Sequence, residues 1–324
     1  MRTCARRVLR FAVCLMAILP PLAAESRPPV RLLTIGNSFA ENAVKYLPQF
    51  ARAAGHEIQI REANLPSHSL EQHWRYVERH EADPADPAGR PYKGTTSEPA
   101  GQALAELLAE ERWDFVTLQQ VSHLSYKAES FHPFLRLLID FVRQRAPGAE
   151  ILLHQTWSYR EDHPLFRNGF SSAKMAAQIA RNYRDLGRTF ELRLLPVGEA
   201  FEAVRHAEGW RFVFPDPEFE YGQPRTGSLP RQDGSLHRGW AWRKNPETGA
   251  DELRLDAIHA NAAGCYLAGA VWFEVIFRED VTDNAFRPPE IAADDAAFLR
   301  RAAHRAASVL FSVETLPTQP PALP

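Results

Sequence analysis

The chain has little cysteine, no surplus of either charge and no long apolar run. Its 324 residues hold three cysteines, Cys4, Cys14 and Cys265. Three thiols so far apart exclude a disulfide-built framework. Thirty-eight basic residues against 40 acidic ones leave a formal charge of -2. That balance offers no electrostatic footprint for nucleic acid or an anionic membrane surface. No apolar run reaches the ~20 residues of a spanning helix. Gly-rich phosphate loops and internal repeats are also missing, which argues against a nucleotide-binding turn and a solenoid. What remains is 45% apolar and 24% charged residues, the composition of an ordinary globular chain with enough length for a full core.

The first residues stand apart. Arg2, Arg6, Arg7 and Arg10 precede the apolar run 11–19, and Pro20-Pro21-Leu22-Ala23-Ala24 follows. A basic start, a short apolar stretch and small residues read as a secretory signal peptide over 1–24. Its removal takes away four arginines and no acid, so 34 basic residues face 40 acidic ones, a charge of about -6. It also removes Cys4 and Cys14. The expectation is an exported protein, periplasmic or extracellular, with one thiol, no intramolecular disulfide and no stable membrane anchor after cleavage.

From residue 28 onward, short apolar runs alternate with helical spacing. Strands are expected at 30–35, 57–63, 113–118, 150–154 and 190–197. Between them the spacing predicts helices over 41–54, 69–79, 102–111, 131–145, 171–186 (closed by Gly187) and 198–206. Helices over 261–277 and 291–311 complete the pattern. Residues 80–100 read as a surface loop. Such alternation predicts a three-layer α/β/α sandwich around a parallel sheet of about five strands, one domain spanning 28–312. Residues 209–253 break the rhythm and read as an insertion of loops with a hairpin, and 313–324 as a Pro-rich tail. Trp210, Trp240 and Trp242 among the insertion's arginines suggest a solvated lid whose indoles pack onto the domain. A polymer-binding surface is the alternative.

In a parallel sheet, sites lie beyond the carboxyl ends of the strands. There the sequence places Gly36-Asn37-Ser38-Phe39 after the first strand and Pro66-Ser67-His68-Ser69 after the second. Gln119-Gln120-Val121-Ser122 follows the third, and Gln155-Thr156-Trp157-Ser158-Tyr159 the fourth. Ser38 on a tight strand-to-helix turn suits a nucleophile, although Ser38 or Asn37 capping the helix explains the same residues. Asp256 and His259, three apart ahead of an apolar helix, can face one pocket from a single loop. His259 is then the base that takes the serine proton and Asp256 the carboxylate that orients it. Asn37, Gln119, Trp157 and Tyr159 are candidate substrate contacts, the aromatics as platforms for a sugar ring or as buried anchors.

Serine near the start, amide-bearing loops in the middle and Asp-x-x-His near the end resemble the SGNH/GDSL hydrolase superfamily. The closer resemblance is to an uncharacterised bacterial branch with Gly-Asn-Ser-Phe in place of Gly-Asp-Ser. It is carried by Ile35-Gly-Asn-Ser-Phe39, Leu118-Gln-Gln-x-Ser122, Gln155-Thr-Trp157 and Asp256-x-x-His259, over roughly residues 30–277. The resemblance implies that Ser38 is the nucleophile and, through its own N–H, an oxyanion donor, with Asp256 and His259 completing a triad. It implies a glycine N–H where Ser67 stands and an asparagine where Gln120 or Ser122 stands. Pro66, in the same stretch, has no N–H to give.

Other patterns point to nothing comparable. His68 and His73 are five apart, outside the usual spacing of zinc ligands, and no metal or cofactor is expected. Cys265 on the apolar helix reads as a small core residue. The expected activity is hydrolysis of carboxylic esters, with acyl groups on carbohydrate as substrate, whether a small molecule or an oligosaccharide. The competing readings are a non-catalytic glycan-binding protein on the same fold and a lipid-directed esterase or thioesterase.

Overall fold

Five apolar runs become five parallel strands. The computed structural model describes residues 28–94 and 101–314; the expected signal peptide lies outside them, as does the tail beyond 314. The strands are β1 (Val30–Gly36), β2 (Ile58–Asn64), β3 (Phe115–Leu118), β4 (Glu150–His154) and β5 (Arg193–Leu195), in spatial order β2-β1-β3-β4-β5. All neighbours are parallel, with Gly36 level with Asn64 and Ile35 level with Leu118. The chain steps left from β1 to β2 and rightward thereafter. Its switch point therefore lies between β1 and β3, where Ser38 and Gln119 emerge.

Helices cover both faces. One layer contains α1 (Ser38–Val44) and α2 (Leu47–Ala53), packed with α7 (Val197–Arg205), α8 (Ala262–Phe277) and α9 (Ala293–Glu314). The other contains α3 (Leu70–Ala82), α4 (Leu104–Glu110), α5 (Phe134–Arg145) and α6 (Ser172–Phe190). The α/β/α sandwich is thus the one the alternation predicts. Nearly all of α8 is buried, from Gly264 to Ile276, as expected of a helix apolar on every side. No helix among the described residues is long and apolar enough to cross a membrane.

Most elements shift by a few residues at their ends, as β5 does from the expected 190–197 to Arg193–Leu195, and three differences have a physical cause. The helix expected over 41–54 is two helices, because Pro48 has no N–H and cannot sit inside a continuous helix, so α2 begins with it in the first turn. α6 runs through Gly187 to Phe190 and ends at Glu191 in the left-handed region, φ 56°. One interior glycine costs a helix only about 1 kcal/mol, and Gly187 packs against Leu194. The third concerns Asp256 and His259, which lie on a strand. The insertion forms an antiparallel pair, β6 (His237–Lys244) with β7 (Asp251–Ala260). Between the pairs Gly239/Asp256 and His237/Ala260, β6 advances two residues while β7 advances four. Residues three apart on a regular strand point to opposite faces; this bulge brings His259 round to the side of Asp256.

The tryptophans of the insertion pack down. Trp210 stacks on Phe298, Trp242 Nε1–H donates to Ser228 O, and Trp240 Nε1–H donates to Asp162 Oδ2. Asp162 is itself held by the buried Arg160 guanidinium at 2.6 and 2.9 Å. The turn from β7 into α8 is equally tight: a Cβ on Gly264 would lie 2.3 Å from Leu236 O. Gly264→Ala should therefore cost about 1–3 kcal/mol by overpacking. Denaturant unfolding checks this, and an unchanged midpoint would contradict it.

Candidate active site

Ser38 and His259 come from positions 221 residues apart and meet. Ser38 Oγ lies 2.9 Å from His259 Nε2, and His259 Nδ1 lies 3.0 Å from each Asp256 oxygen. The carboxylate fixes the tautomer: Nδ1 carries the proton and donates it, so Nε2 is bare toward the hydroxyl. Half-burial pushes the Asp256 carboxyl up. The His259 ring, the His259 N–H and the Ile258 N–H bond to it, outweigh burial and hold it well below the usual carboxylate range. Arg238 adds a cation 3.6 Å away. Asp256 is thus ionised wherever the protein is folded.

Both partners are fixed from beneath. Asn37 caps α1 by accepting Phe39 N–H, which places Ser38 at the first helical position with no helical acceptor for its own N–H. Asn42, buried one turn later, accepts Ala260 N–H at 3.0 Å and ties α1 to the residue after His259. Trp157 stacks between Phe39 and Phe201 at 4.0 and 4.6 Å and donates to Ile258 O. Asn42 carried no spacing signal; only its place on the inner face of the first helix could have marked it.

The loop after β2 brings a further donor. Ser67 adopts φ 60°, the left-handed region that favours glycine, at the position where the resemblance implies glycine. Its N–H has no acceptor among the described residues. The neighbouring residue anchors the loop: Asn37 Nδ2–H donates to His68 O at 3.1 Å. His68 also contacts Pro66 O and Tyr76 OH.

The remaining candidates are placed otherwise. Asn37 and Gln119 are buried and face each other, not a ligand: Gln119 Nε2–H donates to Asn37 Oδ1 at 2.7 Å, and Gln119 Oε1 accepts from His154 Nδ1 at 2.7 Å. Gln120 is fully buried; its Oε1 accepts the N–H of Leu70 and of Val121, and its Nε2 donates to Ser130 O. Ser122 Oγ is bonded to Tyr159 OH. Both side chains are buried and bonded within the protein. Trp157 is 0% and Tyr159 3% exposed, so both are packing anchors and neither offers a ring face to a sugar.

Asn37 explains why an amide stands beside this serine. Its oxygen accepts from Phe39 N and Gln119 Nε2 while its nitrogen donates to His68 O. A carboxylate can do the first two and repels the third. Asn37→Asp should lower stability by about 1–3 kcal/mol, since a buried acceptor would face a carbonyl. Calorimetric or denaturant unfolding of the variant tests this, and a stability equal to wild type would refute it.

Three fully buried histidines surround the site. His73 lies under the end of β1, between Gly36 O and Tyr92 OH; burial lowers it to about 4 although the Gly36 bond raises it. Burial lowers His154 to about 3. His237 is held well below the usual range by burial and then by the Arg205 charge. All three stay neutral in the folded protein but bind protons below ~6.5 once unfolded. The unfolded state therefore takes up more protons as pH falls, and stability drops from about pH 6.5 downward. Between pH 7 and pH 5 the loss is about 2 kcal/mol for each histidine. Equal unfolding free energies at the two pH values would overturn this reading.

A cavity of about 820 Å³ lies at the amino ends of β1 and β3, beside Val30 and Asp114, at the opposite edge of the sheet from Ser38. Glu274, Asp280 and His304 form the one cluster among the described residues with metal-like spacing. There His304 bonds to Glu274 at 2.8 Å, and the group joins α8 to α9, far in the chain from the serine loop.

No curated protein sequence matches the chain. A solved structure of a DUF4886 family protein from Bacteroides uniformis is similar at TM-score 0.65 and 24% identity, covering 86% of this chain and 95% of that one; it shares the fold. A Slackia heliotrinireducens protein described as a candidate SGNH hydrolase gives TM-score 0.47 and 18% identity, over 77% of this chain and all of that one. An aryl esterase from M. smegmatis gives 0.42 and 13%, over 77% and 99%. The family described as a domain of unknown function, DUF4886, matches residues 31–205, which include Ser38, Ser67 and the β3 amides and stop short of Asp256. That match spans just over half of the chain, and the chain belongs to this family.

Proposed function

We propose that this protein is an exported serine hydrolase that cleaves carboxylic esters, with acyl groups on carbohydrate as its substrate. The observation that carries the reading is the unbroken line from Asp256 through His259 to Ser38 Oγ, each contact 2.9–3.0 Å. His259 Nε2 takes the Ser38 proton as the oxygen attacks the ester carbonyl. The tetrahedral oxyanion is held by the N–H groups of Ser38 and Ser67. His259 then passes its proton to the departing alcohol, and water, deprotonated by the same nitrogen, releases the acid. The Asp256 carboxylate balances the imidazolium in both halves of the cycle.

Gln120 has no part in this scheme because its oxygen and nitrogen are already bonded, and Ser122 is paired with Tyr159. Export rests on residues 1–24. The carbohydrate rests on export and on the groove described below, since Trp157 and Tyr159 are buried.

Hydrolysis of 4-nitrophenyl acetate by variants tests the mechanism. Ser38→Ala and His259→Ala should lower kcat by about 10⁴–10⁶-fold. Asp256→Asn, which retains the shape and loses the tautomer control, should cost about 10⁴-fold. An active-site phosphonate should add its mass to wild type and not to Ser38→Ala. Equal rates in wild type and Ser38→Ala would sink the mechanism and leave the glycan-binding reading.

A further inference from the structure

A second cavity, about 750 Å³, opens against the far side of Asp256. One wall is the insertion, with Phe214, Tyr221, Trp240 and Leu255; the other is the segment after β4, with Glu161, His163, Phe166 and Arg167. Its floor is β7 itself, at Asp256, Ala257 and Ile258. Asp256 lines the groove and bonds His259, so the groove lies two hydrogen bonds and one imidazole ring from Ser38 Oγ.

Three features mark it as a built surface. First, the exposed large hydrophobic residues among those described are Val213, Phe214 and Leu229, all in the insertion, and Phe214, 42% exposed, lines the groove. Exposed apolar surface next to a reactive centre is a mark of binding. Second, the aromatic wall is set in place without a ligand. Tyr221 packs edge-on to Phe214 and is tilted against Trp240, whose Nε1 is anchored on the buried Asp162–Arg160 pair. A wall fixed beforehand loses little entropy when it binds. Third, charged groups stand at the rim: Glu161 and Arg167 are exposed, and His163 is half-buried.

The volume lies within the ~300–1,000 Å³ usual for a small-molecule site and exceeds the need of an acetyl group. A long acyl chain calls for a closed apolar sleeve. This groove is open and combines ring faces with charged hydrogen-bonding groups at its edge. We propose that it seats the alcohol half of the ester, a pyranoside ring of an acylated oligosaccharide. The C–H face of the sugar lies on Phe214 and Tyr221, and its hydroxyls bond Glu161, His163 and Arg167. The proposal rests on the hydrolase reading and gives the sugar of that substrate its binding residues.

The test separates the two. In the Ser38→Ala background, calorimetry with acetylated xylo-oligosaccharide should detect binding, and adding Phe214→Ala with Tyr221→Ala should weaken it about tenfold or more. In the Ser38 background, the same pair should lower kcat/KM on that oligosaccharide, relative to kcat/KM on 4-nitrophenyl acetate, by a similar factor. Leu229→Ala, away from the groove, serves as the control and should leave the ratio as in wild type. Absence of oligosaccharide binding, or equal affinity with and without the two rings, would overturn the groove proposal even where the nitrophenyl ester shows Ser38 to be catalytic. Binding that depends on the rings in a protein inert to every ester would uphold the groove and sink the hydrolase.

Discussion

The buried indole of Trp157 sets the spacing on which the site depends. One face lies on Phe39, the residue after Ser38, and the other on Phe201 of α7. Its N–H reaches Ile258 O, the carbonyl before His259. Nucleophile and base thus belong to distant parts of the chain yet are referred to one rigid, water-free ring. Asn42 adds a second tie, from α1 to Ala260. A hydrogen bond between reacting groups can be held at 2.9 Å only if both backbones are fixed, and these contacts fix them from opposite sides.

Much of the buried polar chemistry serves the same end. Asn37, Gln119 and His154 form a line beneath the serine, and none of the three faces a ligand. Gln120 closes the start of α3 and the turn after β3 with one oxygen. Where carbonyl ends of strands converge, the backbone leaves many donors and acceptors unpaired, and buried ones must be satisfied. Side-chain amides meet that need, and their bonding in turn holds the Ser67 loop where it is.

Most of the sheet could be read from the sequence because β1, β3 and β4 are short apolar runs, the signal of burial on both faces, while the edge strand β2 showed itself by alternation. The meeting of Ser38, Asp256 and His259 could be read because serine, carboxylate and imidazole all stood where the chain leaves or enters a predicted element. The amides and aromatics misled for a shared reason: a strand-end position says where a residue emerges and not which way the following loop turns. After β4 the loop turns inward, taking Trp157 and Tyr159 into the core. The break at Pro48 was visible in principle and was outweighed by helical spacing on either side. The strand character of Asp256 and His259 was hidden because a bulge gives a strand the look of a loop.

That bulged strand has a consequence for how the molecule fails. β7 pairs with β6 alone and with no strand of the main sheet, and a two-stranded ribbon is marginal by itself. Ser38 follows directly on a strand of the central sheet, while Asp256 and His259 are mounted on the ribbon. What holds β7 to the sandwich is therefore a few contacts made outside any sheet ladder: Trp157 to Ile258, Arg160 to Ala257 and Asn42 to Ala260. Loss of those contacts would part His259 from Ser38 while every strand pairing of the central sheet stayed in place.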